Sequence, residues 1–167
     1  PFESRLPPDL PRPRRCVPLL ALAASTPLLR PGPLDIGMHL VYVRRKRGDV
    51  PVQYALPELQ TILEPTFGVI TYQEQVMRIA QQLAGVSLAE ADVLRKAVGK
   101  KDAELIRKEL GRFVERAVEK GIDKKLAEDL AAQIETFGRY GFNKSHSVAY
   151  SILSYQTAWL KTHYPAE

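Results

Sequence analysis

Apolar residues recur at helical spacing along most of the chain beyond residue 68. Val69, Tyr72, Val76, Ile79, Ala80 and Leu83 share one helical face, and Gly85 supplies a C-terminal stop. Ser87-Leu-Ala-Glu90 has the form of a capping box, in which the Ser hydroxyl accepts an early backbone N–H and the Glu reaches back. It predicts a short helix through about Val98, ended by Gly99. Asp102 suits an N-cap for the stripe Ile106, Leu110, Phe113, Val114, Ala117 and Val118, which Gly121 closes. Asp123 caps the next helix, whose stripe is Leu126, Leu130, Ile134 and Phe137, with Gly138 as its stop. Val148, Ile152, Tyr155 and Trp159, flanked by Ala149, Leu153 and Leu160, predict a last helix stopped by Pro165. Five helices on short Gly-punctuated turns, with no βαβ alternation and no fixed-period repeat, predict an all-α fold.

Proline divides the chain. Nine of the 13 prolines lie in residues 1–33, three between 51 and 65, and none from 66 to 164. A proline in a helix interior costs about 3 kcal/mol, so the last of these stretches can be continuously helical and the first cannot. Residues 1–27 are therefore expected to be an irregular, proline-rich segment. Pro57 fits the first turn of a short helix through Leu63. Arg30-Pro31-Gly32-Pro33 predicts an extended or turning backbone that presents Arg30 in a fixed direction.

The composition is that of an ordinary globular protein, 45% apolar and 26% charged over 167 residues, which excludes wholesale disorder and collagen-like or coiled-coil classes. A single cysteine, Cys16, excludes an internal disulfide framework and a Cys-based zinc cluster. The net charge of +5 permits nucleic-acid binding without demonstrating it. Arg12, Arg14 and Arg15 before the run Val17–Ala24 superficially resemble a secretory signal. Pro18 inside the run, Glu3 and Asp9 before it and the absence of an initiator Met favour an apolar segment packed on something else, and the run is too short to span a membrane. With Pro1 first and Glu167 last, the chain reads as cut at both ends.

Candidate chemistry gathers at two places. Arg95, Lys96, Lys100 and Lys101 surround Gly99, and four such cations could grip a phosphate chain. By composition alone the plainer reading is favoured, that cations at a helix C-terminus complement its dipole. The stretch Gly138-Arg-Tyr-Gly-Phe-Asn-Lys-Ser-His146 sets Arg139, Tyr140, Asn143, Lys144 and His146 on a tight turn between helices. Stacking rings, cations and hydrogen-bonding groups on such a backbone suit a nucleotide. The alternative is an aromatic corner with Asn143 or Ser145 as an N-cap. The run Arg44-Arg-Lys-Arg47 reads as a solvated face, with phosphate contact as the sharper reading.

Several motifs are familiar in order and spacing. Tyr72-Gln-Glu-Gln-Val-Met77, Ala91-Asp-Val-Leu-Arg-Lys96 with Gly99-Lys-Lys101, Tyr140-Gly-Phe-Asn-Lys-Ser-His146, and Ser154-Tyr-Gln-Thr-Ala-Trp-Leu-Lys161 with His163-Tyr-Pro-Ala-Glu167 together resemble the fingers region of the bacterial C-family replicative DNA polymerases, the DNA polymerase III alpha subunits. Arg30-Pro-Gly-Pro33, Gly37-Met38, Pro57-Glu-Leu59 and Pro65-Thr-Phe-Gly68 fit its upstream part, so the likeness covers about residues 28–167.

The resemblance implies that these residues form part of a polymerase fingers domain that closes over the incoming deoxynucleoside triphosphate. It implies a nucleotide-binding set of Arg95, Lys96, Tyr140, Asn143, Lys144 and His146. Arg95 matches a triphosphate-associated arginine, Lys96 stands where a second Arg is common, and His146 matches a residue implicated in excluding ribonucleotides. Arg30, Lys100, Lys101 and Arg139 are candidates for DNA or phosphate contact. The family's catalytic aspartates lie in an upstream palm domain, which would hold Mg2+, and nothing here matches them. Asp35, Asp92, Asp102 and Asp123 read as turn or cap residues. No catalytic or metal-binding residue is therefore expected in this chain, and no polymerase activity from it alone. Implied partners are primer-template DNA, dNTPs, the sliding clamp, the clamp loader and the proofreading exonuclease subunit, in the cytoplasm and away from membranes.

Phe2-Glu-Ser-Arg5 loosely resembles the family's Phe-x-x-Glu-Ser segment, but residues 6–27 do not resemble the helical stretch expected next. Divergence or a slipped reading frame would produce that. The competing reading is a non-catalytic helical module that binds nucleic acid or protein through the same basic turn.

Overall fold

The computed structural model describes residues 18–100 and 102–165. Cys16 and most of the expected irregular segment lie outside the described residues. Nine α-helices follow one another there: α1 (Pro18–Leu28), α2 (Pro31–Asp35), α3 (Met38–Arg47), α4 (Pro57–Leu63), α5 (Gln73–Ala84), α6 (Leu88–Lys100), α7 (Ala103–Glu119), α8 (Lys124–Gly138) and α9 (Lys144–His163). A 3₁₀ turn at Glu64–Thr66 follows α4, and the described residues form no strand beyond one isolated parallel bridge between Tyr72 and Phe142. The fold is all-α, as the periodicity predicts.

Helices α5 to α8 pack on one another, and α4 lies against α5. Val76, Ile79 and Leu83 of α5, Leu94 and Val98 of α6, Ile106, Leu110 and Phe113 of α7, and Leu130 and Ile134 of α8 join one buried cluster. Each large apolar side chain so buried contributes roughly 1.5–3 kcal/mol. The expected caps form. Asp102 accepts from the Leu105 N–H at 3.1 Å, and Asp123 from the Leu126 N–H at 3.0 Å. Ser87 and Glu90 bond reciprocally, as a capping box requires.

Four expectations need correction. Helix α5 begins at Gln73, not at Val69, because Gln75 reorganises the entry. Its Oε1 accepts from the Thr71 and Tyr72 N–H groups, both at 2.9 Å, and its Nε2 donates to the Ile62 carbonyl and to Thr66 Oγ1. Those bonds hold Val69–Tyr72 outside the helix while keeping Val69 and Tyr72 buried. Gly99 does not end α6, which runs on to Lys100.

The proline-rich part is helical over Pro18–Leu28 and again over Pro31–Asp35, with Arg30 extended between the two helices as its sequence predicts. Prolines 18, 31 and 33 fall in first turns, where a missing N–H costs nothing. Pro27 lies in the last turn of α1 and leaves the Ala23 carbonyl without its i+4 donor. The Ser147 hydroxyl of α9 donates to that carbonyl. Ala23 and Ala24 on α1 meet Ser147 and Ser151 on α9, all at most 2% exposed, so small residues bring the two helices close.

Helix α9 therefore buries Ser147 and Ser151, not the expected stripe. Ile152, Tyr155 and Trp159 stay exposed. A second small core, with Leu28, Met38, Tyr42 and Val69, joins α1 and α3 to the α5 entry. Phe67 sits at φ 52°, and Arg45 Nη1 donates to its carbonyl at 3.1 Å. Arg45 thus secures a turn, while Arg44 and Arg47 occupy the solvated end of α3.

Candidate functional site

The turn between α8 and α9 is pinned to the start of α5. Phe142 donates its N–H to the Thr71 carbonyl at 3.1 Å and accepts from the Gln73 N–H at 3.0 Å. Both carboxylate oxygens of Glu74 lie 3.1 Å from the Lys144 N–H. Asn143 caps α9, accepting from the His146 N–H at 2.8 Å. These bonds occupy backbone donors that a helix N-terminus otherwise offers to an anion. Any phosphate recognised at this turn falls chiefly to side chains.

Those side chains form a row. The Arg30 guanidinium lies 5.3 Å from the centre of the Phe142 ring. Phe142 and His146 are 5.4 Å apart between centroids, and His146 and Tyr150 are 4.5 Å apart. Tyr140 packs against Gly32 of α2; a Cβ there would come 2.2 Å from Tyr140 Cε1. Gly32 is therefore required by close approach.

The basic cluster on α6 is organised by Asp92. Its carboxylate accepts from Arg95 Nε and Lys96 Nζ, both at 2.7 Å. These bonds, with Lys96 first and Arg95 second, hold the Asp92 carboxyl below the usual range, so it stays ionised. Arg95 is 28% exposed, and its Nη1 donates to Gln73 Oε1 at 3.1 Å. Gln73 Nε2 in turn donates to the Gly141 carbonyl at 3.2 Å. One side chain thus joins the two places where the sequence concentrates its chemistry.

Residues 2–121 match the family of the bacterial DNA polymerase III alpha subunit finger domain. The chain belongs to that family. It is 53% identical over 154 residues to the DNA polymerase III subunit alpha of Pasteurella multocida, covering 89% of this chain and 13% of the relative. The corresponding protein of Aquifex aeolicus is 50% identical over 146 residues, and that of Thermus aquaticus 49% identical over 162, covering 87% and 93% of this chain. The chain spans only 13% of the length of each.

In this finger-domain chain Arg95, Gln73 and the 140–146 turn come together, and Arg30 joins them through Phe142. Other candidates are placed differently. Lys96 is held by Asp92, and Arg139, just past the end of α8, pairs with Glu135 of that helix at 2.6 Å. Lys144 Nζ stands 5.8 Å from the Tyr72 ring, on the wall of a separate cleft of about 590 Å³ shared with Glu74 and Arg78. Lys100 is exposed at the end of α6, and Lys101 lies outside the described residues.

Asp102 and Asp123 are caps as expected, whereas Asp92 is a mid-helix ion-pair partner and Asp35 ends α2. Among the described residues no group of three or more His, Cys, Asp or Glu side chains could hold a metal ion. Among the described residues, no helix is long and apolar enough to cross a membrane.

Local spacing singles out neither Gln73, inside the Tyr72–Met77 motif, nor Tyr150. Phe142 and Tyr150 line the row around His146. The spacing of Asp92 to Arg95 and Lys96, three and four residues, was the readable signal for that ion-pair cluster.

Proposed function

We propose that this chain is the finger-domain portion of a replicative DNA-directed DNA polymerase, and that residues 28–167 take the incoming deoxynucleoside triphosphate over primer-template DNA. Family membership and the Gln73 bridge between Arg95 and Gly141 support this reading; the bridge is the observation that carries it. Arg95 meets the triphosphate with the guanidinium edge that Asp92 and Gln73 leave over, since an Arg fork suits phosphate oxygens. Asp92 and Gln73 take their bonds from Arg95 before the ligand arrives, so less of its side-chain freedom is lost on binding. Lys96 adds charge at longer range, and Lys100, Lys101 and Arg139 serve DNA phosphates. The Phe142–His146–Tyr150 row faces the sugar and base, with His146 crowding the position of a 2′-hydroxyl.

Carboxylates that hold Mg2+ for phosphoryl transfer belong, on this reading, to a palm in the rest of the polymerase, and this chain alone lacks polymerase activity. Contacts to the sliding clamp, clamp loader and proofreading exonuclease also belong to the complete replicative assembly. In the full-length enzyme, Arg95→Ala should raise the KM for dNTP about 10- to 100-fold, the range of one charged hydrogen-bonding contact. Arg44→Ala, at the solvated end of α3, should change it less than about twofold. Equal effects would mean general electrostatics and would remove Arg95 from the site.

A further inference from the structure

The amide of Gln73 is used at both ends. Its Oε1 accepts from Arg95 Nη1 at 3.1 Å and its Nε2 donates to the Gly141 carbonyl at 3.2 Å. Only one orientation of the amide satisfies both neighbours, because a guanidinium offers only donors and a carbonyl only accepts. The backbone beneath it is fixed to the same turn, since the Gln73 N–H donates to the Phe142 carbonyl at 3.0 Å. On the other side, Asp92 takes Arg95 Nε from within α6. Among the described residues, the bond to Gln73 is the only hydrogen bond that ties Arg95 to another element. Without it the guanidinium keeps Asp92 but is free to swing about its own helix.

We infer that Gln73 is a positioning residue for nucleotide binding, which fixes the Arg95 guanidinium relative to the 140–146 turn so that one nucleotide meets both. The inference rests on Arg95 being the phosphate contact. A bridge of this kind acts before the ligand arrives: it removes the freedom that Arg95 would otherwise lose on binding, and so it lowers KM more than it raises kcat.

The test is a double-mutant cycle in the full-length polymerase on saturating primer-template, with dNTP varied. Gln73→Met, which keeps length and loses the amide, should raise KM for dNTP about five- to tenfold, with kcat within about threefold. Arg95→Ala should raise KM further, and the double variant should match Arg95→Ala within about twofold. Gln73→Asn keeps the amide but is one methylene too short to bridge, and should behave as Gln73→Met does. It carries the cycle if thermal melting shows that Gln73→Met has lost its fold. An unchanged KM in both Gln73 variants beside a raised KM in Arg95→Ala would overturn the inference alone. So would effects of Gln73 and Arg95 that multiply in the double variant. An unchanged KM in Arg95→Ala would overturn the reading of Arg95, and the inference with it.

Discussion

The imidazole of His146 lies 4.5 Å from the ring of Tyr150, one helical turn further along α9, and 5.4 Å from the ring of Phe142 in the preceding turn. Phe142 is itself held by two backbone bonds to the entry of α5. His146 is exposed, yet its ring has two aromatic neighbours that restrict where it can turn. A side chain held this way can exclude a hydroxyl by position, which a freely rotating one could not.

In the full-length enzyme, His146→Ala should raise ribonucleotide incorporation relative to deoxyribonucleotide by about tenfold, worth ~1.4 kcal/mol of discrimination. Tyr150→Ala, which removes one wall, should relax the ratio in the same direction but less. Single-nucleotide incorporation with matched rNTP and dNTP measures both. An unchanged ratio in His146→Ala would deny the residue any role at the sugar.

Glu90 links the start of α6 to α7, accepting from the Ser87 N–H at 2.8 Å and from Arg116 Nη2 at 3.0 Å. These bonds, the Ser87 N–H first, lower its carboxyl from 4.5 to about 2. A carboxyl with a depressed folded pKa stabilises the fold above its unfolded value, and that contribution is lost as pH falls through the folded pKa. Hydrogen exchange at the first turn of α6 should therefore be faster in Glu90→Gln than in the parent at about pH 6, and the two should converge toward pH 2. A difference that persists unchanged at low pH would mean that the carboxylate charge is not its source.

The helices from α5 to α8 were legible because each buries a stripe at helical period, and α6 to α8 also carry a cap, a Ser–Glu box or an Asp, within a few residues. The misreadings arose where long-range bonds override local pattern. Val69 and Tyr72 continue the period of α5 but are held out of it by Gln75, whose partners reach back to Ile62. Prolines 18, 27, 31 and 33 argued against helix, yet first-turn positions and a donor from α9 accommodate these four. The stripe on α9 predicted a buried face, and within this chain small residues compete better for close contact with α1. At the candidate site, the spacing points to two places that the structure brings together, but it does not show the bridge through Gln73. It spans 22 residues to Arg95 and 68 to Gly141, and no local spacing encodes that.

The last relationship joins a missing donor to a distant hydroxyl. In a helix the carbonyl of one residue is met by the N–H four residues on, and for Ala23 that residue is Pro27, which has none. Ser147, 0% exposed, supplies the donor from α9, and its own carbonyl accepts from Ser151 Oγ at 2.8 Å. Ser147→Ala should leave the Ala23 carbonyl buried and unmet, at a cost of about 1–3 kcal/mol. Pro27→Ala restores a backbone N–H at the position α1 lacks. In that background the Ser147→Ala cost should shrink, giving a coupling of about 1 kcal/mol between residues 120 apart in sequence. Local opening free energies of α1, from hydrogen exchange of the parent, both single variants and the double, measure it. Strict additivity would show that Ser147 contributes to packing alone and that Pro27 leaves nothing for it to satisfy.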